Sequence, residues 1–212
     1  MAITDSGLCP YPRGDSSIRR MALEARGLGF DSLAALGIPP GNYAGIPVTE
    51  GTLIEGMIAR EIATHVKSSS PKTFVMARAG DNGFNRAVLG IKGIHVLCGI
   101  EAADRHAFDH VTAKIASDNR VAIDISLAPL IRNRGHSRQK ALNRYRDILN
   151  LSRKYSFPLV LSTHAASVLE MRSVREMSAL ASVIGFELEE IEQALGFAGT
   201  APYGDKPVQV IS

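Results

Sequence analysis

Short apolar runs alternate along the chain with longer stretches whose apolar positions recur at three and four residues. Runs at residues 2–8, 32–36, 52–54, 73–77, 94–98, 121–126 and 159–162 read as strands. The intervening segments 17–28, 56–67, 81–89, 108–118, 137–155 and 173–184 read as helices, and an acidic helix at 187–195 precedes a tail rich in Gly and Pro. The turn Tyr11-Pro12-Arg13-Gly14-Asp15-Ser16-Ser17 separates the first strand from the first helix, with Asp15 or Ser16 placed to cap it and Gly29 to end it. Strand–helix alternation calls for parallel strands joined by crossover helices. About seven such units suit either a small, irregular (β/α) barrel or an open doubly wound sheet, and periodicity does not choose between them. In both, chemistry collects at the carboxyl ends of the strands.

No repeat, low-complexity tract or linker divides the 212 residues, so one domain over 1–212 is expected. The longest apolar run is far too short to span a membrane. The amino terminus has no basic stretch leading into an apolar one, which predicts no secretory signal and a cytoplasmic protein. Cys9 and Cys98 are accordingly expected as reduced thiols.

Charge changes this picture more than composition does. Between Arg132 and Lys154 eight basic residues face only Asp147, a net of +7 in a chain whose total is +3, leaving −4 for the remainder. Charge of one sign at that density attracts a polyanion, nucleic acid above all. A merely solubilising helix would intersperse Glu with its Lys. With seven Phe, five Tyr and no Trp, no strand displays the aromatic pair that grips single-stranded RNA by stacking. An RNA partner would be held through phosphate contacts and shape.

Nucleotide and nucleophile motifs are missing. There is no Gly-x-x-x-x-Gly-Lys-Ser/Thr loop, Cys-x-x-Cys pair or Gly-x-Ser-x-Gly elbow, and Gly27-Leu28-Gly29 is a helix stop. His106 and His110 share a helix face beside Asp104 and Asp109, but the intervening residues are not those of a His-Glu-x-x-His zinc helix. Asp5 and Asp124 lie on strands and are read as hydrogen-bonded structural groups. An alternative, a metal-dependent phosphoesterase, requires three ligands to converge from among Asp5, Asp124, His164 and the His106–His110 pair. A third possibility is an interaction module whose basic helix docks an acidic protein.

Three blocks carry a family likeness. They are Tyr11-Pro12-Arg13-Gly14-Asp15-Ser16-Ser17 with Arg20-Met21-Ala22 and Leu28-Gly29-Phe30; Gly80-Asp81-Asn82 with Asn85-Arg86; and Phe108-Asp109-His110-Val111-Thr112-Ala113-Lys114 continuing through Asn119-Arg120-Val121-Ala122-Ile123 to Ser126-Leu127-Ala128-Pro129-Leu130. Phe157-Pro158-Leu159-Val160-Leu161-Ser162 extends the likeness. Together they resemble the archaeal ribonuclease P protein component 3 family. The resemblance implies a TIM-barrel-like fold related to the polymerase and histidinol phosphatase superfamily, without that superfamily's metal-binding histidines. It also implies a protein cofactor of the ribonucleoprotein that removes 5′ leaders from precursor tRNA, paired with a small partner subunit. Hydrolysis there belongs to ribonuclease P RNA with Mg²⁺, and no cofactor is expected on this chain. Arg86, His110, Lys114 and Arg172 match the family's basic positions, with Arg78 and Arg105 as additions. Where the family often has Arg in Ser-Leu-Arg-Pro-Leu, this chain has Ala128, for which Arg132 or Arg134 could compensate.

Overall fold

The computed structural model describes residues 2–200. Seven parallel strands follow one another around a sheet in the order β1 (Thr4–Leu8), β2 (Ser32–Leu36), β4 (Ile46–Ile54), β5 (Phe74–Arg78), β6 (Val96–Cys98), β7 (Ala122–Ser126) and β8 (Leu159–Ser162). The eighth, β3 (Gly41–Tyr43), pairs antiparallel with β4 and lies off this path. The sheet curls until β1 meets β8, giving a small TIM-barrel-like fold rather than an open sheet. Helices α1 (Ile18–Leu28), α2 (Ala59–Ser68), α3 (Asn82–Leu89), α4 (His110–Asp118), α5 (Ala128–Arg132), α6 (Gly135–Tyr155), α7 (Val174–Ile184) and α8 (Leu188–Thr200) complete it.

Alternation of side chains along each strand makes two cores. One face points outward, where Leu33, Val75, Ala77, Leu97, Ile123 and Leu161 pack beneath the helices. The other points inward, where Ala34, Phe74, Met76, Val96, Ala122 and Val160 fill the barrel. Phe197 and Ala198 of α8 join that inner cluster, so the last helix closes the amino-terminal end of the barrel. Buried on both faces, the parallel strands show as continuous apolar runs.

Most elements begin and end where capping chemistry puts them. Ser17, rather than Asp15 or Ser16, caps α1 by accepting the Arg20 amide at 3.3 Å, and Gly29 ends the helix at φ +92°. Asp81 caps α3 and Asp109 caps α4, the latter accepting the amides of Val111 and Thr112. Three expectations need correction. The strand expected at 52–54 is the end of the nine-residue β4, whose earlier part pairs with β3 through a turn at Ala44-Gly45. The segment after β7 forms the separate α5, its Pro129 tolerated in the first turn, where an amide needs no partner. The final helix runs on to Thr200, and the Gly- and Pro-rich tail at 201–212 lies outside the described residues.

The barrel shuts without a β1–β8 ladder. Asp5, fully buried, instead accepts the Thr163 amide at 2.9 Å and the Thr163 hydroxyl at 2.6 Å, while the Cys9 amide donates to the Ala165 carbonyl at 2.9 Å. Burial pushes the Asp5 carboxyl up to about 6, against the pull of its Thr163 donors. A raised carboxyl means the folded chain holds a proton that the unfolded chain has released between about pH 4 and pH 6. Stability therefore falls by about 3 kcal/mol as pH rises through that window and is level above it. In Asp5→Asn, whose amide accepts from the Thr163 N–H and donates to its hydroxyl, the difference curve against the wild type should show that slope removed. Its stability at neutral pH should stay within about 1 kcal/mol of the parent, whereas Asp5→Ala orphans a buried amide and loses about 1–3 kcal/mol. Urea titrations of the three chains from pH 4 to 8 check both statements.

Candidate nucleic-acid interface

The carboxyl ends of the strands open on a cavity of about 540 Å³. Arg78, the last residue of β5, lines it and is tied to Glu55 at 2.7 Å. Arg132, the last residue of α5, lines the opposite side and grips Glu170, with Nε to Oε1 at 2.9 Å. Arg13, in the loop after β1, also reaches this mouth.

Deeper in, Asp124 of β7 is fully buried and bound on both oxygens. It accepts the Ser162 hydroxyl at 2.6 Å and sits 2.7 Å from Nε2 of His164. Desolvation opposes charge on that imidazole, but the Asp124 carboxylate outweighs it and raises the His164 pKa to about 10. The ring has room because residue 7 is glycine: a Cβ there, at φ +74°, would lie 2.7 Å from Cε1 of His164. His164 itself adopts φ +46°, a left-handed backbone that a bulky residue rarely takes.

Asp5, Asp124, His164, His106 and His110 do not converge. Asp124 and His164 satisfy each other, Asp5 is spent on the seam, and His106 and His110 are exposed around the start of α4. Among the described residues no group of three or more His, Cys, Asp or Glu could hold a metal ion.

Glu101 joins this mouth to a second cavity of about 610 Å³, since it lines both. Arg105, His136, Lys140 and Arg146 line that second groove along α6. The basic segment is thus divided in its use. Arg144 is buried and donates to the carbonyls of Ile100, Asp104 and Arg105, stapling that loop to α6. Arg146 donates to the Val183 and Ile184 carbonyls, and Arg153 to Gly185 and Glu190. With Arg132 on Glu170 and Arg138 donating to the Asn133 carbonyl at 2.8 Å, five of the eight cations are engaged within the protein. Arg134, Arg138 and Lys140 remain exposed at the start of α6.

The other expected contacts sort in the same way. Arg86 on α3 is 2.6 Å from Asp109, and His110 and Lys114 stand exposed one turn apart on α4. Hydrogen bonds from Thr112 and Arg86 overcome partial desolvation and hold the Asp109 carboxyl well below its usual range. Arg86 therefore orients the cap of the helix carrying His110 and Lys114. Arg105 pairs loosely with Asp147 at 3.3 Å, and Arg172 donates to the Leu169 and Met171 carbonyls. Since α4 packs on α6, the exposed cations of both helices fall on neighbouring elements. Arg13 and Glu101 were not anticipated. Arg13 sits in an apparently ordinary turn, and Glu101 follows the shortest run of strand residues in the barrel path, so neither carried a periodic signal.

Comparison with known proteins gives three findings. The family described as RNase P subunit p30 matches residues 58–199. Ribonuclease P protein component 3 of Methanococcoides burtonii is 33% identical over 195 residues, covering 87% of this chain and 80% of that one, and its counterpart in Methanosarcina barkeri is 29% identical over 87% and 81%. A chain in the cryo-EM structure of archaeal ribonuclease P with mature tRNA superposes with a TM-score of 0.79 at 19% identity, over 99% of this chain and 98% of that one. No helix among the described residues is long and apolar enough to cross a membrane.

The ion pair in the mouth makes a direct prediction. Asp124→Asn removes the charge that holds the His164 proton, so its titration midpoint, followed by NMR of the ring carbons, should drop from about 10 towards the ordinary 6.5. A wild-type midpoint already near 6.5 would contradict the geometry.

Proposed function

This chain belongs to the RNase P subunit p30 family, and we propose that within ribonuclease P it is a non-catalytic protein subunit that holds ribonuclease P RNA in its active conformation. On this reading the RNA, with Mg²⁺, hydrolyses the 5′ leader of precursor tRNA in the cytoplasm, and this chain works together with a small paired subunit. The observation that carries it is the pairing of family membership with cations left exposed on α4 and at the start of α6. At the mouth, Asp124 is held by Ser162 and His164.

The RNA contacts are assigned by what each cation has left to give. Lys114, His110 and Arg134 are exposed and lead the set, with Arg138 and Lys140 beside Arg134. Arg105, whose pairing with Asp147 is loose, can turn towards phosphate. Arg78, Arg86, Arg132 and Arg172 reach RNA only with the part of the guanidinium that their protein partners do not use. Phosphate contacts of this kind place the RNA without reading its sequence.

The test is cleavage of precursor tRNA by the cognate RNA and small subunit at fixed Mg²⁺, with and without this chain. Stimulation is expected. Lys114→Ala and Arg134→Ala should each weaken RNA binding several-fold and lower the salt slope by about 0.7–0.9 per contact removed. Arg144→Ala should instead lower the melting temperature, because it frees three buried carbonyls. Absence of stimulation at every salt and magnesium concentration would overturn the proposal.

A further inference from the structure

RNA binding leaves one group of side chains at the barrel mouth unused. Cys9 is half-buried just past the end of β1, and its thiol lies beside the His164 ring. Its position is fixed by backbone: the Cys9 amide donates to the Ala165 carbonyl at 2.9 Å, and Sγ lies 3.4 Å from the Gly7 carbonyl. Asp124 holds the imidazole from the other side, and Ser162 holds Asp124. Thiol, imidazolium and carboxylate thus line one cavity, with the cation between the nucleophile and its counter-ion.

All three line the same open cavity, which also receives Arg13, Arg78 and Arg132. The backbone is bent to build the arrangement. His164 takes a left-handed φ, and the space its ring occupies exists only because residue 7 has no Cβ. Cys98 supplies the contrast. It touches the same cavity yet is only 2% exposed, donates to the Ala77 carbonyl at 3.4 Å, and is pushed far up by burial. Reactive thiols are part-exposed and face cations, whereas apolar burial makes a thiol inert.

We propose that the barrel mouth is a thiol-modification site at which Cys9 exchanges with a small, negatively charged disulfide. The Cys9 sulfur attacks one sulfur of the reagent. The new Cys9–S–S–R bond forms as the reagent's S–S bond breaks, and the electron pair leaves with the other half as a thiolate. The Cys9 proton leaves to water, because Asp124 already holds His164 as the imidazolium, and water returns a proton to the leaving thiolate. The disulfide is itself the oxidant, so nothing else is consumed. Arg13 favours negative charge on the reagent, since Arg78 and Arg132 are already held by Glu55 and Glu170.

The test needs neither RNA nor partner subunit, so it stands or falls apart from the ribonuclease P reading. The whole folded chain is mixed with 5,5′-dithiobis(2-nitrobenzoate), a dianionic disulfide, and separately with the neutral 2,2′-dithiodipyridine, and release of the coloured product is timed. One equivalent should react at least about tenfold faster than the thiols of the same chain unfolded in guanidinium. That phase should vanish in Cys9→Ser and persist in Cys98→Ser. His164→Gln should slow both reagents about tenfold. Arg13→Gln, an exposed change that leaves the fold intact, should slow the dianion and spare the neutral reagent. A Cys9 rate equal to that of the unfolded chain, an unchanged rate in His164→Gln, or equal effects of Arg13→Gln on both reagents would each overturn the proposal.

Discussion

The architecture depends on how the first strand meets the last. A barrel of parallel strands normally closes by one more ladder of backbone hydrogen bonds, and here a carboxylate takes its place. Asp5 uses both oxygens on Thr163, one on the amide and one on the hydroxyl. Those contacts set the direction in which the chain leaves β8, and the next residue is His164. The amide of Cys9 then fastens to Ala165, and that of Asp15 to the Ala166 carbonyl at 2.8 Å. The seam and the mouth are therefore one construction. Where His164 points, and how the loop at 9–16 lies over the opening, follow from the closure at Asp5.

A second constraint governs the charge. Arginine has five donors in a fixed fork, which suits it to capturing backbone carbonyls at helix ends and loops. This chain uses Arg144, Arg146 and Arg153 in that way, tying α6 to the 100–105 loop, to the end of α7 and to the start of α8. Net charge along a sequence consequently overstates the charge available to a partner. The positive field survives such contacts, because a hydrogen-bonded guanidinium keeps its charge, but its freedom to reach a phosphate does not. The field is then spread over the whole of α6, whereas the side chains free to move are those exposed at its start and on α4.

Much of the fold was legible in the residues, for identifiable reasons. Strands buried on both faces leave continuous apolar runs, so β2, β5, β7 and β8 could be placed within a residue or two. The helices at 81–89 and 108–118 were legible from their spacing, and the fold adds that Asp81 and Asp109 cap them. The β3–β4 hairpin escaped because Pro47, Glu50 and Gly51 interrupt the apolar pattern of β4. Barrel closure escaped because it rests on one acid and one threonine 158 residues apart, a pairing with no local signature. The candidate contacts divide along the same line. Residue type and resemblance named Lys114, His110, Arg134, Arg86 and Arg172 alike, and only the fold shows that the first three are exposed, that Arg86 serves the α4 cap and that Arg172 is bound to its own loop.

The mouth shows how polar groups at the strand ends of a barrel can be tied to one another. Polar residues sit at the carboxyl ends of β7 and β8, where a barrel places reactive groups. A metal centre there would require acceptors held apart and pointed at a common empty position. Here each is drawn to a protein partner instead: Asp124 to Ser162 and His164, Asp5 to Thr163, Glu55 to Arg78 and Glu170 to Arg132. Such pairing stiffens the rim, because it ties β7 to β8, β1 to the residue after β8, the loop after β4 to β5, and α5 to the loop after β8. Contacts that are already rigid lower the ordering cost of binding any partner there.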